Sequence, residues 1–304
     1  MQDLPEDKGE VQKMIDSDDK APRKQSQLRE VWRMYRKNKT AVAGLIFIVG
    51  LSLILLFADL MLPYEMATEM DAANRLSPPQ SGNLFGTDQF GRDVLSRVLH
   101  GGRISLTVGF ATAIAGAVIG GILGVVAGYY GKWVDELVMR IMDLLICIPN
   151  ILLTLAIITA LGPGIENLLI ALILGSVPSY ARVVRASILT IVEQDYVEAA
   201  KAGGMSNFRI MIKHILPNAI GTVIIYVTGS ISGFILLAAA LSFLGLGVRP
   251  PRPEWGAMLS EARDYMRTAP HMMTFPGLAI IFTAMSFNMI GDGLRDALDP
   301  RLKN

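Results

Sequence analysis

The hydrophobic positions of the chain fall into six long blocks that are separated by polar segments. The blocks cover residues 41–62, 104–130, 141–161, 166–183, 219–246 and 274–291. A helix needs about 20 apolar residues to cross the roughly 30 Å hydrocarbon core of a bilayer. Each block reaches or approaches that length, so the pattern predicts an all-α integral membrane protein with six transmembrane helices. The fifth block is long enough to require tilt or a kink.

Lysine and arginine predict the orientation of these helices, because cytoplasmic loops carry an excess of both residues. If the N-terminus is cytoplasmic, the segments on that side of the membrane hold 20 of the 28 lysines and arginines. The distribution therefore predicts that both termini are cytoplasmic.

The polar segments complete the predicted organisation. No signal-peptide pattern precedes the first block, which we therefore expect to remain in the protein. The segments are a polar cytoplasmic tail (1–25), an interfacial helix (26–40), an extracytoplasmic segment (63–103), a core domain (104–292) with a cytoplasmic loop (182–217) and an extracytoplasmic loop (247–273), and a cytoplasmic tail (293–304). The interfacial helix is predicted because apolar and basic side chains occupy different faces of it.

Composition excludes several classes of protein. The chain is 52% hydrophobic and only 18% charged, whereas soluble domains are about a quarter charged. A soluble enzyme and a nucleic-acid-binding protein are both excluded on these grounds. Cys147 is the single cysteine, so the chain has no internal disulfide and no cysteine-based metal site.

The sequence contains no recognisable energy-transducing site. The pair Gly131-Lys132 lacks the preceding glycine of a phosphate-binding loop. His100, His214 and His271 are too far apart in the sequence to suggest a zinc motif. The chain resembles a conduit whose free energy is supplied by another protein.

Charged residues are confined to the ends of the predicted spans. A charge at a helix centre costs about 2.5–3.5 kcal/mol on insertion scales, and ion-coupled carriers usually retain one for function. Their absence at mid-depth argues against a secondary carrier. It also predicts that the pathway holds its substrate weakly and leaves selectivity to a separate binding protein.

Glycine and proline mark two further features of the spans. Four glycines recur at intervals of four residues in the second block: Gly116, Gly120, Gly124 and Gly128. Such spacing predicts close packing against a neighbouring helix. Pro149 and Pro178 interrupt the third and fourth blocks and predict kinks, either purely structural or acting as gating hinges.

The loop 182–217 is the most informative segment for function. Asp195 and Glu198 have the spacing of a capped helix start, which predicts a helix of about seven residues. Gly203 and Gly204 follow it and suit a left-handed helix stop.

A second short helix is predicted after this stop. Ser206 suits its N-cap, and we expect Pro217 to end it. Three apolar residues are predicted to share one face: Phe208, Ile212 and Ile215. The helix pair would form either a projection whose small Ala199–Ala200 surface fits another protein's groove, or a hairpin that shields the membrane surface.

The same loop resembles a known family. Glu198-Ala199-Ala200, then Gly204, then Leu216-Pro217 match the EAA-x3-G-x9-I-x-L-P motif of permease subunits in bacterial ATP-binding cassette (ABC) importers, although His214 occupies the isoleucine position. In that family the loop docks on the ATPase subunit. The resemblance implies that the coupling residues are Tyr196, Val197, Glu198, Ala199, Ala200, Lys201, Gly203, Gly204, Leu216 and Pro217.

Two further segments narrow the resemblance. Residues 85–106 and 288–302 are similar to permeases of the dipeptide, oligopeptide and nickel importers, and more closely to the second, or C-type, permease. The resemblance implies the type I importer fold, a second homologous permease, two ATPase subunits and an extracytoplasmic substrate-binding protein. It places ATP and Mg²⁺ on the ATPase subunits and no cofactor on this chain. Peptides are the favoured substrate, with a nickel chelate as the alternative.

Two questions stay open at this point. Trp255, in a possible helix over 254–266, would face a partner protein or anchor the chain at the membrane interface. The rival functions are a secondary carrier that works alone and a non-transporting membrane scaffold or sensor subunit.

Overall fold

A computed structural model describes residues 27–298, and the chain is helical along most of that range. In chain order the helices are α1 (Gln27–Tyr35), α2 (Lys39–Leu56), α3 (Ala58–Met61), α4 (Glu65–Thr68), α5 (Val94–Tyr130), α6 (Lys132–Ile146), α7 (Asn150–Leu161), α8 (Ile165–Val192), α9 (Asp195–Ala202), α10 (Asn207–Ile210), α11 (Leu216–Phe243), α12 (Trp255–Ala262) and α13 (His271–Leu298). The predicted N-terminal tail and the end of the C-terminal tail lie outside the described residues.

The predicted all-α membrane fold is confirmed. Five helical stretches are long and apolar enough to span a membrane: α2, α5, α8, the continuous stretch from α10 through α11 (Asn207–Phe243), and α13. The sixth candidate is the pair α6 and α7, which meets the criterion only when the two helices are counted as one span.

The third predicted span, 141–161, is broken rather than merely kinked. The axes of α6 and α7 differ in direction by 84°. Pro149 has no backbone N–H and disfavours the helical conformation at Ile148 before it. Its carbonyl instead accepts the first hydrogen bonds of α7, from the amides of Leu152 and Leu153. Pro178, in contrast, lies within α8 without interrupting it.

Several helices begin or end at positions other than the bounds of the predicted segments. Helix α5 begins at Val94, inside the predicted segment 63–103, because the Asp93 carboxylate caps it by accepting from the Ser96 amide. The predicted interfacial helix 26–40 is interrupted after Tyr35, where a turn leads into α2.

Helix α8 likewise extends into the predicted cytoplasmic segment 182–217. It continues to Val192, and within this extension the half-buried Arg185 forms an ion pair with Asp135.

The four-residue glycine repeat of α5 lies against α8. A Cβ on Gly120 would lie 2.6 Å from the Val177 carbonyl oxygen, and one on Gly124 would lie 2.5 Å from the Ala181 carbonyl oxygen. Added Cβ atoms at the other two glycines would meet α8 side chains in the same way: Gly116 and Gly128. Small residues thus allow the two backbones to approach more closely than side chains would permit.

Because Gly124 faces a backbone atom, we expect Gly124→Ala to force α5 and α8 apart. Overpacking of this kind typically costs about 1–3 kcal/mol. The matched control is Gly121→Ala, since no atom lies within 4 Å of a Cβ added there. Thermal unfolding of the purified protein in detergent should show a lower midpoint for the first variant only, and equal midpoints would contradict the packing role.

The bundle has two distinct ends. One end carries α9 and α10, which we call the hairpin end, and the hairpin is defined as residues 193–215. The other end carries residues 57–93 and α12, and we call it the segment end. Helices α5 and α8 run between the two ends.

Candidate coupling hairpin

The first half of the hairpin is a short helix with a well-defined stop. Gly204 has φ of +76°, the left-handed conformation that favours glycine. Its amide donates to the Lys201 carbonyl, and the Met205 amide donates to the Ala200 carbonyl at 3.1 Å. This pair of bonds defines a Schellman motif and fixes the direction in which the chain leaves α9.

The sequence predicts Asp195 as the N-cap and a helix from Tyr196 to Ala202, whereas α9 begins one residue earlier, at Asp195. Gln194 is the N-cap, in extended conformation, and no side chain caps the helix. Asp195 is therefore the first helical residue, where its charge together with that of Glu198 suits the positive end of the helix dipole. The expected reciprocal capping bond is absent.

Buried apolar residues fasten the hairpin to the bundle. Val197, Ile210 and Ile215 are fully buried in one cluster with residues of α5 and α8. The Tyr129 hydroxyl at the end of α5 donates to the Asn207 side chain at 2.9 Å. The Lys201 ammonium group lies 5.4 Å from the centre of the Tyr129 ring. The hairpin is thus packed on the bundle rather than suspended from it.

The outer face of the hairpin combines acidic, small and apolar groups. Glu198 and Ala199 are exposed, whereas Ala200 is half-buried. Phe208 is 71% exposed and Ile212 is 51% exposed. Exposed apolar side chains that are grouped together are typical of surfaces that contact another protein or the membrane.

The predicted shared face of the second helix was wrong, since Phe208 and Ile212 point outward while Ile215 is buried. Residues Met211–Ile215 form a π-helical turn, and this wider turn changes the angular spacing of the side chains. The turn also explains why Pro217 does not end the helix. The missing proline N–H falls in the first turn after the π-helix, and α11 continues to Phe243.

Two ion pairs join α8 to α6 beside the hairpin. Arg185 binds both carboxylate oxygens of Asp135, and Arg182 binds Asp143 at 2.5 Å. The pair formed by Arg185 is partly buried, whereas that formed by Arg182 is about half exposed. Sequence analysis missed both pairs, because the partners lie 50 and 39 residues apart. They connect the first half of the broken span to the helix that leads into the hairpin.

A buried ion cluster of Asp88, Arg92, Arg97 and Glu261 organises the segment end. Arg92 donates to Asp88 at 2.6 Å and to Glu261 at 2.7 Å, and Arg97 donates to Glu261 at 2.9 Å. Both arginines are 1% exposed. The cluster contains two negative and two positive groups, so its charges balance where water cannot screen them.

Trp255 is neither a partner contact nor an interface anchor, so both predicted alternatives were wrong. The side chain is fully buried against Gly102, and its indole N–H donates to the Val98 carbonyl at 2.8 Å. The preceding residue, Glu254, caps α12 by accepting from two backbone amides and also accepts from Ser105. Trp255 thus holds α12 against α5.

Two carboxyl groups outside the spans are stabilised as anions. A hydrogen bond from Arg103 at 2.7 Å lowers the pKa of Asp59 below its ordinary value. A hydrogen bond from the Asn74 side chain, aided by the Ala73 amide, lowers the pKa of Asp71. Both groups therefore remain charged at neutral pH and keep the segment end hydrophilic. Within residues 27–298, no cluster of three or more potential ligand side chains could hold a metal ion.

Comparison with known proteins agrees with this architecture. Residues 120–304 match the family model described as "binding-protein-dependent transport system inner membrane component". Residues 26–79 match the N-terminal transmembrane domain of oligopeptide transport permease C. The chain belongs to the permease family of ABC importers. Its fold is the importer permease fold that the motif resemblance implied.

Curated relatives cover nearly the whole permease. It is 46% identical to a dipeptide transport system permease protein of Alkalihalophilus pseudofirmus, over 91% of this chain and 90% of the relative. It is 43% identical to a glutathione transport system permease protein of Pectobacterium atrosepticum, over 91% and 92% of the two chains. The permease also shares its fold with the inward-facing MetNI methionine ABC transporter. That match has a TM-score of 0.55 and 21% identity, and covers 67% of this chain and 98% of the other.

Proposed function

We propose that this permease pairs with a second, homologous permease to form the path for ATP-driven uptake of di- or oligopeptides through a bacterial inner membrane. The observation that carries the proposal is the rigidly packed hairpin with an exposed acidic and apolar face. The substrate class rests on two relatives, whose names specify a dipeptide and glutathione, which is itself a peptide. A nickel chelate is the alternative solute.

The free energy for uptake comes from two ABC ATPase subunits that bind ATP and Mg²⁺ and dock on the hairpin. This chain carries no cofactor and no ATPase activity of its own. A substrate-binding protein docks at the segment end and delivers the solute. Because the ATPase subunits are cytoplasmic and the binding protein is extracytoplasmic, the hairpin and both termini face the cytoplasm and the segment end faces outward. Lipid surrounds the spans.

Coupling works by rigid-body displacement. When ATP closes the ATPase subunits, they move the hairpin through contacts at Glu198, Ala199 and the neighbouring exposed residues. Val197 and Ile215 pack the hairpin against α8 and α11, which therefore move with it. The Asp135–Arg185 pair transmits the movement to α6. The path then changes between its inward-facing and outward-facing forms.

Site-directed crosslinking in the assembled transporter tests this proposal. With Cys147→Ser as background, Ala199→Cys should form a crosslink to the ATPase subunit in cells, whereas Gly82→Cys at the segment end should not. Gly82 is an exposed glycine with open space around it. The same two cysteines should react with impermeant thiol reagents from opposite sides of the membrane.

Reconstitution into vesicles distinguishes the rival functions. We expect peptide uptake that requires ATP, the ATPase subunits and the binding protein. Uptake driven by an ion gradient alone would identify a secondary carrier. Assembly without substrate-stimulated ATP hydrolysis would identify a scaffold, and either result would overturn the proposal.

A further inference from the structure

A polar groove lies between α11 and α13, in the halves of these helices nearer the hairpin end. Its volume is about 510 Å³. Five polar residues and one glycine are among those that line it: Tyr226, Gly229 and Ser230 from α11, and Asn288, Asp292 and Arg295 from α13. The three α13 residues belong to the sequence segment 288–302 that marks the permease family, yet the hairpin mechanism gives them no role.

The shape of the groove depends on a close approach of two glycines. A Cβ added to Gly291 would lie 3.1 Å from the Cα of Gly229, so the helices nearly touch at this level. A Cβ added to Gly229 would meet no atom within 4 Å, so this glycine borders open space. The groove is therefore a concavity between two fixed backbones, and its volume is typical of small-molecule sites.

The lining offers groups that have no partner among the described residues. The Asn288 side-chain oxygen accepts from Ser232 at 2.6 Å, and its NH₂ group makes no hydrogen bond within residues 27–298. Asp292 and Arg295 are exposed and form no ion pair with another described residue. The groove thus presents one anion, one cation and an amide donor within two helical turns.

Lipid is an unsuitable neighbour for this surface. Asn288 lies 17 residues after His271, the first residue of α13, which is about 25 Å along the helix axis. That position is within the thickness of the hydrocarbon core, where an unsatisfied amide costs several kcal/mol. The groove must therefore face water, a polar solute or polar groups of another protein.

The exposed surface of α13 changes from apolar to polar along the helix toward the hairpin end. Toward the segment end the exposed residues on the same side are apolar, as for Leu278, Ile281 and Met285. Such an apolar stripe suits contact with the second permease. The concave groove with its two charged residues, Asp292 and Arg295, does not suit such a contact.

We propose that the groove is a substrate contact site on the translocation path, taking the zwitterionic backbone of a short peptide. Asp292 receives the ammonium terminus, Arg295 receives the carboxylate terminus, and the Asn288 amide donates to a peptide carbonyl. The contact is transient, since Asp292 and Arg295 remain hydrated. This inference rests on the proposed peptide uptake and adds the residues of this chain that the peptide meets.

Thiol accessibility in the reconstituted transporter provides the first test. With Cys147→Ser as background, Asn288→Cys should react with a charged, impermeant thiol reagent at least about tenfold faster than Phe282→Cys, and a transported tripeptide should slow that reaction during ATP turnover. Phe282 lies on the same helix but faces α2, with its ring 6.1 Å from that of Phe47. An unreactive Asn288→Cys, a disulfide to the second permease, or reaction without protection by peptide would overturn the inference.

Filling the groove provides the second test. Gly229→Leu should lower the maximal rate of tripeptide uptake about tenfold, with a larger effect on longer peptides and unchanged assembly with the ATPase. Gly50→Leu is the matched control, because α2 also leaves open space around that glycine. Equal uptake by the two variants would overturn the inference. Absence of ATP-driven peptide uptake in the unsubstituted transporter would instead contradict the proposed function, so the two failures are distinguishable.

Discussion

Gly204→Val is expected to abolish ATP-driven uptake while the protein still inserts into the membrane and keeps its bundle. Gly204 has φ of +76°, and a β-branched residue in this region is a conformational outlier that costs about 1–3 kcal/mol. No atom lies within 4 Å of an added Cβ, so the penalty comes from the backbone and not from a clash. The chain would relieve it by abandoning the Schellman motif, which would redirect the hairpin.

Two control variants separate geometry from side-chain volume. Gly204→Asn should retain most uptake, because asparagine tolerates the left-handed conformation. Gly203→Ala should also retain it, since Gly203 has φ of −71° and an added Cβ would make only an ordinary contact, 3.4 Å from the Ala199 carbonyl oxygen. Uptake and crosslinking to the ATPase should be measured on the same membranes. Full uptake by Gly204→Val would refute the role assigned to this turn.

Arg92→Met is expected to destabilise the segment end by about 3–5 kcal/mol, the range observed when one partner of a buried ion pair is removed. Asp88 and Glu261 would then share Arg97 alone, leaving one uncompensated negative charge where the side chains of Arg92 and Asp88 are 1% and 4% exposed. Thermal unfolding and limited proteolysis within residues 57–93 would measure the effect.

The control for this prediction is an exposed pair. Arg263→Met removes a partner of Asp264, but both side chains are more than two-thirds exposed, so the cost should stay below about 1 kcal/mol. Adding Glu261→Gln to Arg92→Met restores the charge balance and should recover part of the lost stability. Equal unfolding midpoints for Arg92→Met and Arg263→Met would show that the cluster does not hold this end together.

Local patterns predicted those features of the permease that depend on neighbours in the sequence. Apolar block lengths predicted six spans, of which five are single helical stretches and the sixth is the bent pair α6 and α7. The spacing of the α5 glycines indicated a close helix contact without naming the partner helix. The Gly203-Gly204 pair predicted a turn, and the structure places the left-handed conformation at the second glycine only. Proline positions were less informative, since Pro149 breaks a span while Pro178 lies inside an uninterrupted helix.

Features that depend on distant contacts were decided by tertiary structure. The outward direction of Phe208 and Ile212 follows from the π-helical turn after α10, which a regular helical repeat does not anticipate. Trp255 resembled an interface residue in the sequence, but Gly102, 153 positions earlier, provides the space in which it is buried.

By itself, then, the sequence determined an all-helical membrane chain, its family motif and the absence of a recognisable nucleotide-binding motif, because apolar length and turn chemistry are local properties. Only the tertiary structure decided which charges are buried together and which polar groups line the groove between α11 and α13. Arg92 and Glu261 lie 169 residues apart in the sequence, and the groove draws on two separate helices. Such pairings depend on how the helices pack, and packing is a property of the whole bundle.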